Sequence, residues 1–228
     1  GFTGGFFGEP INIYKTTNGG VAWDSTQVIE AQYITSIQFL NLSLGWATMG
    51  AFVATDEFVS KTTNGGIDWD IQSINYSMHP KTVFFSDSLN GWLSGKSSVG
   101  VPTIFRTTNS GVNWITEFPG TGYIINSLYF TDKRNGWAVG ENSIIQATTN
   151  GGINWNSLTT NTTSDLYGIY FYTETIGTAC GTGKIIRTTD GGNSWINQPV
   201  NYSGDLYDIT FANVNSGWTV GQIGRASC

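Results

Sequence analysis

The sequence has little charge of either sign. Only 11% of its 228 residues are Asp, Glu, Lys or Arg, and sixteen acidic against ten basic side chains leave a net charge of −6. A nucleic-acid-binding surface needs clustered basic side chains, so we expect no nucleic-acid partner. Disordered chains combine high charge with few aromatic residues. Aromatic residues reach 14% here, and the composition therefore predicts a folded chain.

Long apolar runs, cysteine and histidine are also scarce. No stretch approaches about 18 consecutive apolar residues, the length that a membrane-spanning helix needs, so we expect no membrane insertion. The two cysteines, Cys180 and Cys228, are too few for a disulfide framework, and the sequence leaves open whether they pair. With His79 the one histidine, no cluster has metal-site spacing, and we expect no cofactor and no metal.

Small residues take the place of the missing charges. Glycine alone accounts for 30 of the 228 residues, and Asn, Thr and Ser are abundant. Such a composition favours an extracellular, periplasmic or cell-surface location.

Two interleaved motifs repeat along the whole chain. The turn motif Thr-Thr-Asn-Gly-Gly-x-x-Trp occurs five times with small variations, and its tryptophans, Trp23, Trp69, Trp114, Trp155 and Trp195, lie 46, 45, 41 and 40 residues apart. A second motif, Gly-Trp, has the same spacings; its glycines are Gly45, Gly91, Gly136, Gly177 and Gly217. A phenylalanine stands six residues before each glycine, at Phe39, Phe85, Phe130, Phe171 and Phe211. Two markers with one set of spacings establish a structural repeat.

The repeat predicts an all-β fold. A period of this length fits either helical repeats or four-stranded propeller blades. Alternating and β-branched runs such as residues 185–189, followed by Asn-Gly or Asp-Gly turns, indicate strands, and no stretch has helical periodicity. We therefore predict a β-propeller of four-stranded antiparallel blades, with about five blade equivalents. Strand a ends near the Phe, strand b begins at Gly-Trp, strand c carries Thr-Thr and strand d carries the motif Trp.

The turn motif joins strands c and d. We expect the side-chain oxygen at its third position to accept from turn N–H groups two residues on, and we expect a positive φ to be obligatory at its fifth position and optional at its fourth, where Ser110 replaces Gly. The Trp should fold back over the turn. The predicted structural residues are Asn18, Gly20, Trp23, Asn64, Gly66, Trp69, Asn109, Gly111, Trp114, Asn150, Gly152, Trp155, Asp190, Gly192 and Trp195.

The turn motif resembles the Asp-box of the bacterial neuraminidase (BNR) repeat. The whole unit, as it stands in residues 130–155, resembles the photosystem II assembly-factor family of β-propellers, the Ycf48-like proteins, and the resemblance runs from residue 1 to about residue 221. It implies the fold. It does not fix the function, because Asp-boxes also occur in sialidases, xyloglucan-cleaving glycosidases and sortilin-like receptors. The fourth unit departs from the pattern with Thr178 in place of Trp, so we expect that interface to pack differently.

The repeat boundaries predict a single propeller domain over residues 1–228. It has a partial first blade at 1–29, blades at about 30–75, 76–120, 121–160 and 161–200, and a partial last blade at 201–228. Residues 1–5 align with residues 136–140, so strand b is present at both ends. The chain then fits a piece of a larger ring of six or seven blades, a five-bladed ring with a surplus strand, or a ring completed by another chain. Open edge strands would then support self-association.

An enzyme site is hard to assemble from these residues. A sialidase-like site needs an arginine cluster, and Arg106 and Arg187 occupy one repeat position, just before Thr-Thr. Glycosidases need two facing carboxylates. Asp56 and Glu57 are adjacent and would point to opposite faces of a strand, and Asp68 and Asp70 flank Trp69 on an outer strand. No catalytic residue is assigned.

A binding surface is the better hypothesis. Two units share Asp-Leu-Tyr four residues before the strand-a Phe, at Asp165 and Tyr167 and at Asp205 and Tyr207. Tyrosine offers an apolar face and a polar tip, and at a channel rim this suits a protein or carbohydrate ligand; the alternative is that these tyrosines cap the blade interface. We expect a non-enzymatic secreted or cell-surface binding or scaffold module. The alternatives are a fragment of an Asp-box glycosidase, sialidase-like or xyloglucanase-like, and an assembly factor for a membrane complex.

Overall fold

Every regular element in the described part of the chain is a β-strand. A computed structural model describes residues 11–28, 33–50, 58–72, 78–97, 101–118 and 122–222. Within these ranges no helix is long and apolar enough to cross a membrane. The predicted strand at residues 1–5, the acidic pair Asp56 and Glu57, and the thiol of Cys228 lie outside the described residues.

In the described ranges twenty strands form six sheets, numbered in chain order. Sheet 1 contains β1 (Ile11–Lys15) and β2 (Asp24–Val28). Sheet 2 contains β3 (Tyr33–Phe39), β4 (Gly45–Gly50), β5 (Phe58–Thr62) and β6 (Asp70–Gln72). Sheet 3 contains β7 (Met78–Phe85), β8 (Gly91–Ser97), β9 (Pro102–Thr107) and β10 (Ile115–Phe118).

Sheet 4 contains β11 (Ile125–Phe130), β12 (Gly136–Gly140), β13 (Ile145–Thr148) and β14 (Asn156–Leu158). Sheet 5 contains β15 (Leu166–Phe171), β16 (Gly177–Gly181), β17 (Lys184–Thr188) and β18 (Ile196–Gln198), and sheet 6 contains β19 (Leu206–Asn213) and β20 (Ser216–Gly221). Within each sheet, strands that follow one another along the chain pair antiparallel. The all-β antiparallel prediction is therefore confirmed.

The two repeat motifs meet in the first hairpin of each sheet. The motif Phe pairs directly with the motif Gly, as Phe130 with Gly136 and Phe171 with Gly177. The Phe ring lies flat over the glycine, so that a Cβ on Gly136 would fall 2.3 Å from the ring of Phe130. Only glycine leaves room for the ring, which explains why the two residues recur together.

Neighbouring sheets pack face to face through the second-motif tryptophan. Trp46, Trp92 and Trp137 each stack on the motif Phe of the following sheet, with ring centroids 3.6, 3.5 and 3.6 Å apart and interplanar angles of 9, 12 and 11°. Each indole N–H also donates to a carbonyl in the following sheet's turn, at Ser110, Gly151 and Gly191, over 3.2, 2.8 and 2.9 Å. Stacking and a buried hydrogen bond thus fix one sheet on the next.

The core is divided among these junctions. The second strands β12 and β16 are buried along their whole length. The first strands of sheets 2 to 6 lie next to one another, whereas the short fourth strands face outward. This arrangement places the beginning of every first strand at one common rim. The division of the chain into a single domain with the boundaries given above stays a prediction.

Candidate functional site

The rim is built on a β-bulge in each first strand. The pairing of first and second strands shifts register by one residue in sheets 2 to 6. The residues at the shift are Thr35, Lys81, Asn126, Tyr167 and Tyr207. A bulge leaves one residue outside the ladder and redirects its side chain. The predicted ligand-surface tyrosines therefore occupy a bulge position that recurs in sheets 2 to 6.

The bulges of sheets 3 to 6 are each fixed by the preceding sheet. The carbonyl of the residue before the bulge accepts one side-chain hydrogen bond across the junction. The pairs are Thr35 Oγ1 to Pro80 at 3.1 Å, Ser94 Oγ to Ile125 at 3.1 Å, Asn126 Nδ2 to Leu166 at 2.7 Å and Cys180 Sγ to Leu206 at 3.4 Å. Burial raises the pKa of the Cys180 thiol to about 11, so it stays protonated and able to donate.

Asp165 and Asp205 brace the rim. Asp165 Oδ1 accepts the backbone N–H of Asn142 from the preceding sheet at 2.7 Å. Asp205 Oδ1 accepts the Thr182 hydroxyl, also from the preceding sheet and also at 2.7 Å. One oxygen of each carboxylate is thus committed to joining two sheets, and the two predicted ligand-surface acids hold the rim rigid.

Tyr167 and Tyr207 form a pair on this braced rim. Their ring centroids are 5.6 Å apart and the rings are tilted by 52°. Tyr207 is 49% exposed, and its hydroxyl donates to Gln222 Oε1 at 3.3 Å. The Tyr167 hydroxyl lies 3.4 Å from Thr182 Oγ1. The structure therefore brings together all four residues of the predicted ligand surface, as two braces beneath two aromatic rings.

The surroundings of Tyr207 keep its hydroxyl neutral. Desolvation, with smaller contributions from Asp205 and Tyr167, raises the pKa of Tyr207. A neutral hydroxyl both donates and accepts hydrogen bonds. The pair offers two aromatic faces and two hydroxyls to a ligand.

Charges of both signs lie elsewhere at the rim. Glu141 Oε2 accepts the backbone N–H of Ile124 at 3.2 Å. The Lys81 side chain is exposed overall, but desolvation of its ammonium group lowers the pKa of Lys81. The charge of Glu141 acts to raise this pKa, and the charge of Lys96 acts to lower it. Sheet 3 thus contributes cations to the rim, while sheets 5 and 6 contribute acids and tyrosines.

The turn motifs are self-contained hydrogen-bond networks. In all five, the first Thr accepts the N–H of the fifth-position glycine at 2.8 to 3.0 Å and donates to the third-position oxygen at 2.8 to 3.0 Å. That oxygen accepts an N–H four residues on, as Asn18 does from Ala22 at 2.9 Å and Asp190 from Ser194 at 2.9 Å. The expected acceptance from two residues on was wrong. The bond from the N–H four residues on joins both ends of the turn to a single side-chain oxygen.

The backbone of the turn corrects a second expectation. The fifth-position glycines have φ between 86 and 94°. The fourth position also has positive φ in every copy, including Ser110 at 65°, with its four glycines between 71 and 76°. A positive φ at the fourth position is therefore required and not optional. Ser110 tolerates it because the left-handed region, though strained, is open to residues other than glycine.

The motif tryptophans cover the turns, and one of them is largely exposed. Each precedes the fourth strand by one residue instead of lying in it, so the placement of Trp in strand d was off by one. Trp69, Trp114, Trp155 and Trp195 each contact the motif Phe of their own sheet edge-on, at centroid distances of 5.9, 6.0, 5.9 and 6.1 Å. Trp23 in sheet 1 is 58% exposed.

The groups considered for catalysis lie apart. Arg106 is on β9 and Arg187 is on β17, with sheet 4 between their sheets. Asp68 Oδ2 accepts Asn64 Nδ2 at 2.9 Å within its turn, and Asp70 begins the outer strand β6. Among the described residues, no three His, Cys, Asp or Glu side chains are grouped so that they could hold a metal ion.

Known proteins resemble the chain in fold. No protein-family model matches it, and no curated protein matches it in sequence. YCF48 from Cyanidioschyzon merolae is 19% identical, over 80% of this chain and 61% of that one, with a TM-score of 0.59. A structure of YCF48 bound to D1 peptide is 17% identical over 94% and 84%, with a TM-score of 0.50. A GH74 enzyme from Niastella koreensis is 13% identical over 95% and 40%, with a TM-score of 0.76.

The chain has a β-propeller fold. Its sheets 2 to 5 are complete four-stranded blades, and the resemblance to Ycf48-like and GH74 propellers is confirmed at the level of fold. The chain spans 61% of the length of the C. merolae propeller and 40% of the N. koreensis enzyme. Those neighbours include both an enzyme and a protein that binds a peptide, so the fold by itself leaves the activity open.

Sequence reasoning missed the braces and the bulges of the blades. The Asp-Leu-Tyr repeat pointed to the right positions, but its Asp and Tyr were read as one ligand-binding unit. In the structure Leu166 is fully buried, Asp165 bonds the preceding blade and Tyr167 faces the rim. The signal that could have separated them is the repeat itself, because the bulge position is polar or aromatic in all five blades.

Proposed function

We propose that the chain is a non-catalytic binding module of a secreted or cell-surface protein, and that the rim pair Tyr167 and Tyr207 is the centre of its ligand surface. The observation that carries the proposal is the pairing of two accessible tyrosines, 5.6 Å apart, on adjacent first strands. Tyrosine is among the residues most often found at the energetic centre of binding surfaces.

Rigid presentation supports this role. Both rings sit on bulges whose preceding carbonyls are bonded by the neighbouring blade, through Asn126 for one and Cys180 for the other. The carboxylates of Asp165 and Asp205 add a second tie for each blade. A ligand that meets a pre-ordered surface loses less free energy to the immobilisation of side chains.

A protein is the proposed ligand. One neighbour of the same fold is described as bound to a peptide, and an aromatic pair with hydroxyl groups at its tips can contact a peptide backbone as well as apolar side chains. A carbohydrate is the second candidate, because sugar rings stack on the same aromatic faces and the N. koreensis neighbour is a GH74 enzyme.

Two turn acids, Asp87 and Asp132, differ from the raised-pKa acid of a glycosidase. Partial burial acts to raise the pKa of both acids, but hydrogen bonds from backbone N–H groups outweigh it and lower the pKa of each. Asp87 accepts from Leu89 and Asn90. Asp132 accepts from Arg134 and Asn135. Such acids stay ionised and already bonded. A glycosidase needs one carboxyl with a raised pKa facing a second carboxylate.

Binding would be tested with a phage-displayed peptide library and a glycan array, each probed with the purified chain. The strongest binder would be titrated against the Tyr167→Ala/Tyr207→Ala double variant. We expect its Kd to rise by at least tenfold, or about 1.4 kcal/mol, since central interface tyrosines contribute at that level.

The matched control is Tyr172→Ala. Tyr172 is also exposed, but it follows the end of β15 and lies at the opposite side of the same blade. Its loss should leave the Kd unchanged. Equal losses in both variants, or no binder in either library, would contradict the proposal. Hydrolysis of xyloglucan by the chain would favour the glycosidase alternative, and binding confined to subunits of a membrane complex would favour an assembly factor.

A further inference from the structure

A glycine brings the first strands of sheets 5 and 6 together at the rim. Gly168 follows Tyr167 in β15, and a Cβ on this glycine would lie 3.0 Å from the Asp208 Cα atom of β19. In sheets 2, 3 and 4 the residue after the bulge carries a side chain; these residues are Ser36, Thr82 and Ser127. Glycine thus leaves room for β19 to pass close to β15, and the rings of Tyr167 and Tyr207 become neighbours.

Three carboxylates lie on the same part of the rim as this tyrosine pair. Asp165 directly precedes β15, Asp205 directly precedes β19, and Asp208 follows Tyr207 within β19. One oxygen of each is used inside the protein: Asp165 and Asp205 accept from the preceding sheet, and Asp208 Oδ1 accepts the N–H of the next residue at 2.8 Å. A carboxylate has two oxygens and about four lone pairs, so each of these acids can accept a further donor.

The charge of this part of the rim is negative. Of the basic side chains described in sheets 5 and 6, Arg187 lies toward the turn end of β17, and Lys184 begins β17 at the rim end. Strand β16 separates Lys184 from the strand of Tyr167. A surface that combines negative charge with aromatic faces attracts cations, through its electrostatic potential and through the ring quadrupole.

An organic cation fits this surface better than a metal ion. In the part of the chain that the structure describes, no three His, Cys, Asp or Glu side chains are grouped to hold a metal. The rings of Tyr167 and Tyr207 are tilted by 52° and therefore do not stack flat on each other, and Tyr207 is 49% exposed. A guanidinium is planar, so it can stack on an aromatic face while the N–H groups at its edge reach a carboxylate.

We propose that the protein partner presents an arginine side chain to this surface, with its guanidinium on the ring of Tyr207 and its N–H groups donating to Asp205. This inference rests on the proposed function, in which the tyrosine pair is the centre of the ligand surface, and it names the side chain recognised there. Asp205 then has two roles, because one oxygen holds Thr182 and the other accepts from the partner. Lys81 and Lys96 in sheet 3 repel a second arginine, so the basic side chain is directed to sheets 5 and 6.

The first test compares two pentapeptides, Gly-Ser-Arg-Ser-Gly with blocked ends and the same peptide with citrulline in place of arginine. Citrulline keeps the size and the planar head of arginine and lacks its charge. Each peptide is titrated into the purified chain while the tyrosine ring signals are followed by NMR. We expect the arginine peptide to bind about fivefold more tightly, and we expect added NaCl to reduce this difference. Equal affinities, or no binding of the arginine peptide, would overturn the proposal.

A pair of charge variants locates the cation. Asp205→Asn keeps an oxygen for the Thr182 hydroxyl and removes the negative charge, so it should abolish most of the preference for arginine over citrulline. Asp190→Asn is the matched control, because it makes the same charge change in the turn at the opposite end of sheet 5, and it should keep the preference. A preference that persists in Asp205→Asn, or that is lost equally in Asp190→Asn, would refute the arginine site.

The strongest binder from the peptide library separates this inference from the proposed function. We expect it to contain arginine and to lose affinity both in Asp205→Asn and in the Tyr167→Ala/Tyr207→Ala double variant. A binder that loses affinity in the double variant but binds Asp205→Asn as tightly as wild type would refute the arginine site and leave the tyrosine surface standing. A binder that keeps its affinity for the double variant would refute both.

Discussion

The junction between sheets 4 and 5 and the junction between sheets 5 and 6 follow the same backbone plan but are filled differently. In the first, Trp137 stacks on Phe171 and donates to the Gly191 carbonyl. In the second, Thr178 stands at the tryptophan position and faces Phe211. The expectation that this interface packs differently is confirmed.

Other contacts hold the junction that lacks the tryptophan. Tyr170 lies against Phe211, with centroids 5.6 Å apart and rings tilted by 33°. The Cys180 thiol and the Thr182 hydroxyl bond the first strand of sheet 6. A narrow cleft remains, lined by Thr178, Arg187 and Phe211 among others. The comparison shows that hydrogen bonds at the rim hold both junctions, whereas a stacked indole further stabilises only the junction between sheets 4 and 5.

The largest expected effect is the loss of a stacked indole. Trp92 is 1% exposed, stacks on Phe130 and bonds Gly151. Trp92→Ala should lower the free energy of unfolding by about 3–5 kcal/mol, because it leaves a large cavity and an unpaired carbonyl. Urea unfolding followed by circular dichroism measures the change. Thr178→Ala changes the same repeat position at the junction between sheets 5 and 6, and it should lower the free energy of unfolding far less. Equal losses in the two variants would show that the two junctions do not differ as described.

The next effect comes from the turn beneath that indole. Gly152 has a φ of 86°, and a Cβ there would lie 2.8 Å from Trp92 Nε1. Gly152→Ala should cost about 2 kcal/mol or more, from backbone strain and displacement of the indole. Ser110→Gly makes the opposite change, because Ser110 has a φ of 65° that glycine adopts without strain. It should raise the free energy of unfolding by up to about 1 kcal/mol. The same urea titration applies, and a stabilised Gly152→Ala would contradict this account of the turn.

A smaller gain is expected from restoring the pattern at Thr178. Thr178→Trp places an indole where it can fill the cleft and stack on Phe211. The free energy of unfolding should rise by about 1 kcal/mol, because an aromatic pair contributes about 0.5–1.5 kcal/mol. This is less than a tryptophan contributes at the complete junctions, since Phe211 is partly exposed. Thermal unfolding against wild type measures it. A marked loss of stability would show that Tyr170 and Arg187 have closed this junction to an indole.

The smallest effect concerns acid stability. Hydrogen bonds from the Ser194 hydroxyl and N–H lower the pKa of Asp190 to about 2, against 3.8 for the free side chain. A lowered pKa in the folded state stabilises the protein above about pH 4, and this contribution is lost as the pH falls toward 2. Asn occupies the same position in the other four turns.

Asp190→Asn should therefore match wild type at neutral pH and lose less stability than wild type between pH 4 and 2. Urea midpoints measured across this range test the expectation. The effect is small because the carboxylate is exposed to solvent. Parallel curves for the two proteins would show that the turn does not depend on the charge.

The repeat was enough to predict the blades, because two motifs with one period can only recur in equivalent units. It could not predict where the tryptophan of Gly-Trp binds, since Trp46 bonds Ser110 in the next blade, 64 positions along the chain. Nor could it predict the turn backbone, because a mixture of Gly and Ser at the fourth position suggests tolerance until the φ of Ser110 is known. The rim tyrosines were found through a shared tripeptide, but the bracing role of their neighbouring acids depends on contacts between blades.

The indole contact also gives the assembly a direction. The three buried tryptophans of the second motif, Trp46, Trp92 and Trp137, each donate to the turn of the blade that follows in the chain. During synthesis the amino-terminal blade emerges first, and its indole has no acceptor until the next turn has been made. Each newly synthesised blade therefore stabilises the blade before it, and the most recently synthesised blade is always the least stabilised.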